Sequence, residues 1–259
     1  MLKILKTRFQ QKYRTLSYPD GPAPEMPLRF AGRPVLDPGC QAGCGACRSA
    51  CPTGAIMAAP AGGTLSLDTG RCLFCRACEK SCPQGLIRFS RDHGLASATR
   101  QGLVIETGAV QTVSARNELA ATLFARSLKL RQVSAGGCNA CEADCNVLGT
   151  PAWDIGRFGI QFVASPRHAD GLLVTGPVTD NMRLALEKTY AAVPDPKIVI
   201  AVGACAISGG PYAEHAEQHN GASSVVPVDL FIPGCPPHPL TILDGLLKLS
   251  GRITAVENS

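Results

Sequence analysis

The chain has 259 residues and a formal net charge of +5, and 45% of its residues are hydrophobic while only 17% are charged. It is long enough for two modest domains with apolar cores, and it has no run of about 18 uninterrupted apolar residues, so a membrane-spanning helix is not expected. The sequence has no motif in which basic and aromatic residues alternate, so the positive charge does not by itself indicate a nucleic-acid partner.

The first segment combines basic and apolar side chains without an acidic one. Its apolar residues are Leu2, Ile4 and Leu5, and its basic residues are Lys3, Lys6, Arg8, Lys12 and Arg14. We expect a short basic amphipathic helix, which fits a membrane surface, a docking site on a partner protein or a frayed end. The segment lacks the features of a secretory signal, so the sequence predicts a cytoplasmic protein whose clustered cysteines bind metal instead of forming disulfides.

Eight of the cysteines form two runs, each ending in Cys-Pro. The run from Cys72 to Cys82 fits the spacing Cys-x2-Cys-x2-Cys-x3-Cys-Pro, and the run from Cys40 repeats it with one extra residue after that first cysteine. In this pattern the fourth cysteine of a run ligates the neighbouring cluster. We therefore expect one [4Fe–4S] cluster on Cys40, Cys44, Cys47 and Cys82, and a second on Cys72, Cys75, Cys78 and Cys51. Two structural zinc ions are the alternative, because four-cysteine zinc sites also use Cys-x2-Cys pairs.

Beyond these runs the pattern alternates between helices and strands. Residues 114–128 indicate a helix with Leu119, Leu123 and Phe124 on one face. Strands are predicted at 128–133, 171–176, 197–204 and 224–231, and further helices at 180–192 and 239–249. Such alternation is typical of a parallel α/β sheet with helices on both faces.

Three of the remaining cysteines follow predicted strands directly. Gly-Gly precedes Cys138, Gly-Ala precedes Cys205 and Pro-Gly precedes Cys235, while Cys141 comes three residues after Cys138. Parallel strands end at one edge of their sheet, so these thiols are expected to converge there, with unrelated buried cysteines as the alternative. Cys145 is left over and is expected to be a packing residue on the following helix.

Six short motifs in residues 128–250 identify a resemblance. They are GGCNACE at 136–142, RFGI at 157–160, SPRHAD at 165–170, PDPK at 194–197, GAC at 203–205 and IPGCPP at 232–237. Together they resemble the small subunit of membrane-bound group 4 [NiFe]-hydrogenases of the formate hydrogenlyase type, within the superfamily of the complex I 20 kDa subunit. LSYP at 16–19, RFAGRP at 29–34 and the two cysteine runs resemble the two-cluster ferredoxin subunit of complex I and formate hydrogenlyase. The chain looks like these two subunits fused.

Pattern and resemblance together predict an α/β chain with four parts. These are an arm at 1–35, a two-cluster ferredoxin-like domain at 36–95, a linker with a helix at 96–126 and a flavodoxin-like parallel-sheet α/β domain at 127–253. The resemblance implies a proximal [4Fe–4S] cluster on Cys138, Cys141, Cys205 and Cys235, facing a nickel–iron large subunit. Glu142 and His168 are candidates for tuning this cluster or for coupling proton movement to it. Three oxidised clusters would lower the net charge to about −1.

The resemblance implies electron transfer through three [4Fe–4S] clusters to a [NiFe] large subunit that evolves H2. Expected partners are that subunit, membrane-arm subunits and a donor (formate dehydrogenase or ferredoxin), with the chain peripheral on the cytoplasmic face of the inner membrane. One alternative is a quinone-reducing subunit of the complex I type. Such subunits usually have two adjacent cysteines at the first ligand position and Gln inside the Ser-Pro-Arg motif. This chain instead has Cys138-x2-Cys141 and His168 at those places. The other is a zinc-stabilised assembly module without a redox role.

Overall fold

A computed structural model describes residues 2–39, 44–58, 65–108 and 118–253, without the side chains of 118–120. Helix α1 (Leu2–Gln11) opens the chain and is followed by an extended arm. The cysteine-rich region comes next. Its elements are β1 (Pro34–Leu36), α2 (Ala46–Ser49), β2 (Ile56–Ala58), β3 (Leu65–Asp68), α3 (Ala77–Ser81), β4 (Ile87–Phe89) and β5 (Val104–Glu106).

The cysteine-rich region is built from short antiparallel strands. Strand β1 pairs with β4, and β2, β3 and β5 form a second sheet in that order. The buried side chains of Leu36, Ile56, Leu67 and Ile87 form a small core together with several cysteines. Strand β5 lies in the segment predicted as a linker, and its pairing with β3 attaches that part of the segment to this region.

The rest of the described chain is an α/β unit. Its elements are α4 (Glu118–Leu123), β6 (Leu128–Ser134), α5 (Ala140–Val147), β7 (Ile160–Phe162), β8 (Gly171–Thr175), α6 (Asp180–Ala192), β9 (Ile198–Val202), α7 (Ala204–Ser208), β10 (Leu230–Ile232) and α8 (Pro239–Leu249). The five strands are all parallel and run in the order β10-β9-β8-β6-β7. The prediction of a parallel α/β sheet is therefore confirmed.

Alternation along the strands fills a core on each face of the sheet. Leu173 and Ile200 face α5 and α8, whereas Leu172 and Val199 face α6 and α7. Every residue of α8 except Lys248 is buried. No described helix is long and apolar enough to cross a membrane.

Four elements differ from the sequence expectation. The strand predicted at 224–231 is limited to β10, because Ala222–Ser224 form a 3-10 turn and Pro227 has no N–H for a sheet ladder. The helix predicted at 114–128 is seen only as α4, and its start lies outside the described residues; Phe124 is buried but Leu123 is exposed. Strand β7 and helix α7 were not predicted, because three and five residues carry too little periodicity.

The arm and the cysteine-rich region pack onto the α/β unit through specific bonds. The buried Tyr18 hydroxyl donates a hydrogen bond of 2.6 Å to Asp244 Oδ1 on α8, and Arg157 donates to the Tyr18 carbonyl oxygen at 2.6 Å. Asp244 also forms an ion pair of 2.8 Å with Lys248. Ser97 forms an antiparallel bridge with Phe231 of β10. The Tyr18 bonds hold the arm against the α/β unit, and the Ser97 bridge holds the segment between β4 and β5 against it.

Candidate metal centres

Three Cys-x-Ala-Cys segments adopt the same backbone turn. The residue at x has a left-handed conformation in each, with φ of 68° at Gly45, 60° at Arg76 and 71° at Asn139. The alanine that follows begins α2, α3 and α5, respectively. Glycine and asparagine tolerate this conformation readily, whereas arginine adopts it at an energetic cost. The cysteine-rich region and the α/β unit therefore place pairs of thiols with the same backbone turn.

The four thiols predicted for the second cluster surround a single cavity. They belong to Cys51, Cys72, Cys75 and Cys78. The pKa of Cys72 is raised to about 12, chiefly by burial; a backbone N–H donated by Phe74 lowers it and the neighbouring thiols raise it. That N–H lies 3.3 Å from Cys72 Sγ, and the Ala55 N–H lies 3.2 Å from Cys51 Sγ. Soft thiols with backbone donors are the ligand chemistry of an iron–sulfur cluster, so the residues present fit such a group.

Three of the four cysteines predicted for the first cluster also lie together. Burial raises the pKa of Cys47, and the nearby thiols of Cys82 and Cys44 add to this effect. Burial also acts on Cys82, but backbone N–H groups outweigh it and lower its pKa, the Leu86 N–H lying 3.3 Å from the sulfur. Cys40 lies outside the described residues. The described thiols thus follow the crossed arrangement, with Cys82 beside the first run and Cys51 beside the second.

The dispersed cysteines meet at the carboxyl edge of the parallel sheet. Cys138 follows β6, Cys205 follows β9 at the start of α7, and Cys235 follows β10. The pKa of Cys205 is raised to about 11, chiefly by burial and also by the nearby thiols of Cys235 and Cys138. Burial likewise raises the pKa of Cys141, whose neighbours include Cys205 and Cys235. The sheet edge therefore gathers the four thiols that the sequence singled out.

Two glycines allow the backbone to approach these sulfurs. A Cβ atom on Gly203 would lie 2.5 Å from Cys141 Sγ, closer than side-chain atoms pack, and the φ of 91° there favours glycine. A Cβ on Gly210 would lie 3.0 Å from Cys205 Sγ, again at a positive φ of 55°. Both glycines thus belong to the site as spacers.

Glu142 is held beside the dispersed cysteines by two hydroxyl groups that the sequence did not indicate. Its carboxylate is buried, and Oε1 accepts hydrogen bonds of 2.6 Å from both Ser134 Oγ and Thr175 Oγ1. Ser134 and Thr175 are the last residues of β6 and β8. Thr175 ends the otherwise apolar strand β8, and that polar residue is a signal that could have found it. Strand β6 carries other polar residues, so Ser134 has no comparable signal.

His168 and Cys145 do not lie among the four dispersed thiols at the sheet edge. His168 is exposed on a 3-10 turn before β8, at the opposite edge of the sheet from the cysteines, because the whole of β8 separates that turn from the site. A five-residue strand spans about 17 Å. Cys145 lies on α5 and is fully buried in the apolar core, and burial raises its pKa to about 12.

The two thiol regions approach each other at Cys75 and Cys235. The pKa of Cys235 is raised first by burial and then by the nearby thiols of Cys138 and Cys75. Phe74 and Pro236, each next to one of these cysteines, line a common cleft between the two regions. The second thiol set therefore approaches the dispersed set.

Within the described ranges, no three His, Cys, Asp or Glu side chains are placed to hold a single metal ion. A tetrahedral zinc site with Zn–S bonds of about 2.3 Å needs tightly gathered sulfurs. A four-iron cuboid is larger and separates its thiolates more widely.

Comparisons with known proteins cover both regions. The 4Fe-4S dicluster domain matches residues 39–86, and the NADH ubiquinone oxidoreductase 20 kDa subunit family matches residues 138–249. A probable membrane-bound hydrogenase subunit from Pyrococcus furiosus is 45% identical over 47% of this chain and 73% of its own length. Formate hydrogenlyase subunit 7 from Escherichia coli is 45% identical over 49% of this chain, which spans only 50% of that relative.

A third relative carries a different name. An NADH-quinone oxidoreductase subunit from Heliobacterium modesticaldum is 40% identical over 50% of this chain and 74% of its own length. The match to the 20 kDa family accounts for one region, and the dicluster match accounts for the other. The chain therefore belongs to the family of NADH ubiquinone oxidoreductase 20 kDa subunits, and it carries a 4Fe–4S dicluster domain in front of that family's domain.

Proposed function

We propose that this chain is the electron-transferring subunit of a membrane-bound [NiFe]-hydrogenase complex and carries three [4Fe–4S] clusters. The observation that carries this proposal is the approach of Cys75 to Cys235, which joins a ferredoxin-type region to a 20 kDa-type region within one chain. Two relatives named as hydrogenase and formate hydrogenlyase subunits support the assignment to hydrogen metabolism. Bound clusters would accept and release single electrons.

The proposed ligand sets follow the thiol neighbourhoods. They are Cys40, Cys44, Cys47 and Cys82 for the first cluster, Cys72, Cys75, Cys78 and Cys51 for the second, and Cys138, Cys141, Cys205 and Cys235 for the proximal cluster. Because burial raises the pKa of Cys72 to about 12 and that of Cys78 to about 11, these thiols must release protons when they bind iron. The Ala55 and Phe74 N–H groups would then stabilise the thiolate form.

The approach of the second thiol set to Cys235 supports a relay from the cysteine-rich region towards the sheet edge. Donors of the formate dehydrogenase or ferredoxin type would deliver electrons to the first set, and a nickel–iron large subunit would receive them at the Cys138–Glu142 edge for H2 evolution. Membrane-arm subunits would hold the chain at the cytoplasmic face of the inner membrane. Glu142, fixed by Ser134 and Thr175, would position the start of α5, which carries Cys141.

A quinone-reducing subunit is the second candidate. It is favoured by the relative named as an NADH-quinone oxidoreductase subunit, whose 40% identity is close to that of the hydrogenase relatives. The same thiol sets would serve that function, so the two candidates differ only in the partner at the sheet edge.

Metal analysis of the complex purified without oxygen separates these candidates. We expect about twelve iron atoms per chain and nickel in a co-purifying subunit. Iron without nickel, together with quinone reduction, would replace the first candidate by the second. Zinc in place of iron would contradict both.

A further inference from the structure

We propose that α1 lies on the surface of an anionic lipid bilayer and anchors the chain there. This inference deepens the peripheral position in the proposed function and rests on it. The helix stands out because all residues from 2 to 14 are exposed, whereas α5, α6 and α8 each bury at least one side chain. Helix α1 therefore has an apolar face that the described chain does not cover.

That apolar face is a stripe along one side of the helix. Leu2, Leu5 and Phe9 recur at helical spacing and are 85%, 56% and 83% exposed. At 100° per residue, Lys6 and Arg8 flank the stripe on opposite sides. A helix of ten residues is marginal in water without packing, so its amphipathic face implies a surface that stabilises it.

The charge pattern selects the kind of surface. The segment carries Lys3, Lys6, Arg8, Lys12 and Arg14, and the first acidic residue of the chain is Asp20. Protein interfaces are depleted in lysine, whereas anionic lipid headgroups attract basic segments at about 1 kcal/mol per charge, which corresponds to about fivefold in partitioning. Apolar residues bordered by lysine and arginine are the pattern of a helix in the headgroup layer.

The residues that follow α1 attach it to one side of the α/β unit. Thr15 Oγ1 donates a hydrogen bond of 2.8 Å to the Pro151 carbonyl oxygen, and the Leu16 N–H donates one of 2.9 Å to that of Ala152. Tyr18 then inserts beside Asp244. Helix α1 is thus tied through a short segment to the loop after α5, so a bilayer that binds it would hold the α/β unit at a fixed site.

Co-sedimentation of the full, cluster-loaded chain with vesicles tests this inference. We expect binding to vesicles of phosphatidylglycerol and phosphatidylcholine, and little to phosphatidylcholine alone. Leu5→Glu should lower partitioning by more than about tenfold, because it puts a charge in the apolar stripe. Leu184→Glu is the matched control, since Leu184 is 57% exposed on α6 and lies outside α1.

A second pair of variants tests the charge contribution. Lys3→Gln and Lys6→Gln should each weaken binding by about fivefold, while Lys188→Gln on α6 should not. A chain that stays in the supernatant with anionic vesicles overturns the inference, as expected for a helix that docks on a protein. Equal binding to neutral vesicles, or equal loss in the α6 controls, also overturns it. Iron analysis of the same samples reports on the proposed clusters independently.

Discussion

The cysteine-rich region and the α/β unit use the same Cys-x-Ala-Cys turn but complete their thiol sets differently. In the first region the described partners come from two neighbouring runs on short helices, α2 and α3. In the second they come from the ends of β6, β9 and β10, so their convergence depends on the whole sheet. The thiol sets of the cysteine-rich region should therefore tolerate local changes in the backbone. The set at the sheet edge should be more sensitive, because it depends on how closely the neighbouring strands approach.

The largest effect should follow from Gly203→Ala in the sheet-edge site. Its Cβ would lie 2.5 Å from Cys141 Sγ at a φ of 91°, so the thiol must move away from the other three. We expect loss of one cluster, or about four iron atoms per chain, measured by iron analysis after anaerobic purification.

Gly54→Ala is the matched control in the cysteine-rich region. Gly54 also has a positive φ, of 59°, but nothing lies within 4 Å of the added Cβ. The variant should keep all its iron and lose only about 1–2 kcal/mol of stability, the cost of a left-handed alanine. Equal iron loss in the two variants would contradict the contrast between the sites.

The next largest effect concerns the crossed ligands. Cys82→Ser should remove the same cluster signal as Cys47→Ala, because Cys82 lies beside Cys47. Cys51→Ser should instead match Cys72→Ser, since Cys51 lies beside Cys72. Electron paramagnetic resonance of the reduced variants distinguishes these pairings, and an uncrossed pairing would reverse both matches.

A smaller effect is expected where the arm joins the α/β unit. Tyr18→Phe leaves the buried Asp244 Oδ1 without its 2.6 Å donor, which should cost about 1–3 kcal/mol in the free energy of unfolding. Tyr13→Phe is the control, because Tyr13 is 84% exposed and should change stability by less than about 0.5 kcal/mol. Denaturant unfolding of the two variants measures the difference, and equal stability would show that the buried bond contributes nothing.

The smallest effect is a pH dependence at the same junction. Burial lowers the pKa of His93, so below its ordinary value of about 6.5 the unfolded chain binds more protons than the folded one. Stability should therefore decrease as the pH falls from about 7 to 5. His93→Gln should reduce this slope and the exposed His215→Gln should not; a slope unchanged by His93→Gln would exclude His93 as its source.

Much of both thiol regions could be predicted from the sequence because each cysteine sits in a local pattern. Run spacing predicted that Cys82 lies near Cys47 and Cys51 near Cys72, and glycines after strand patterns predicted the gathering of Cys138, Cys205 and Cys235. The Tyr18–Asp244 bond joins residues separated by 226 positions, and no local pattern encodes such a contact. Strand β7 has only three residues, too few for periodicity to reveal it.

The side chains around the sheet edge were harder to predict. Glu142 was identified by its place after Cys141, but its partners Ser134 and Thr175 depend on the register of β6 and β8. His168 was chosen from its motif, and only the direction of β8 reveals that it lies at the other edge. Sequence patterns predicted which thiols lie near one another but not the side chains around them, because those side chains come from distant strands.

The central claim is that the two thiol regions form one relay through Cys75 and Cys235. Electron paramagnetic resonance of the fully reduced chain tests it directly, by comparing the wild type with Cys235→Ser. The account predicts magnetic interaction between the second and proximal clusters, which disappears in the variant while the interaction between the two ferredoxin-type clusters remains. A second-cluster signal that is identical in the two proteins would contradict it.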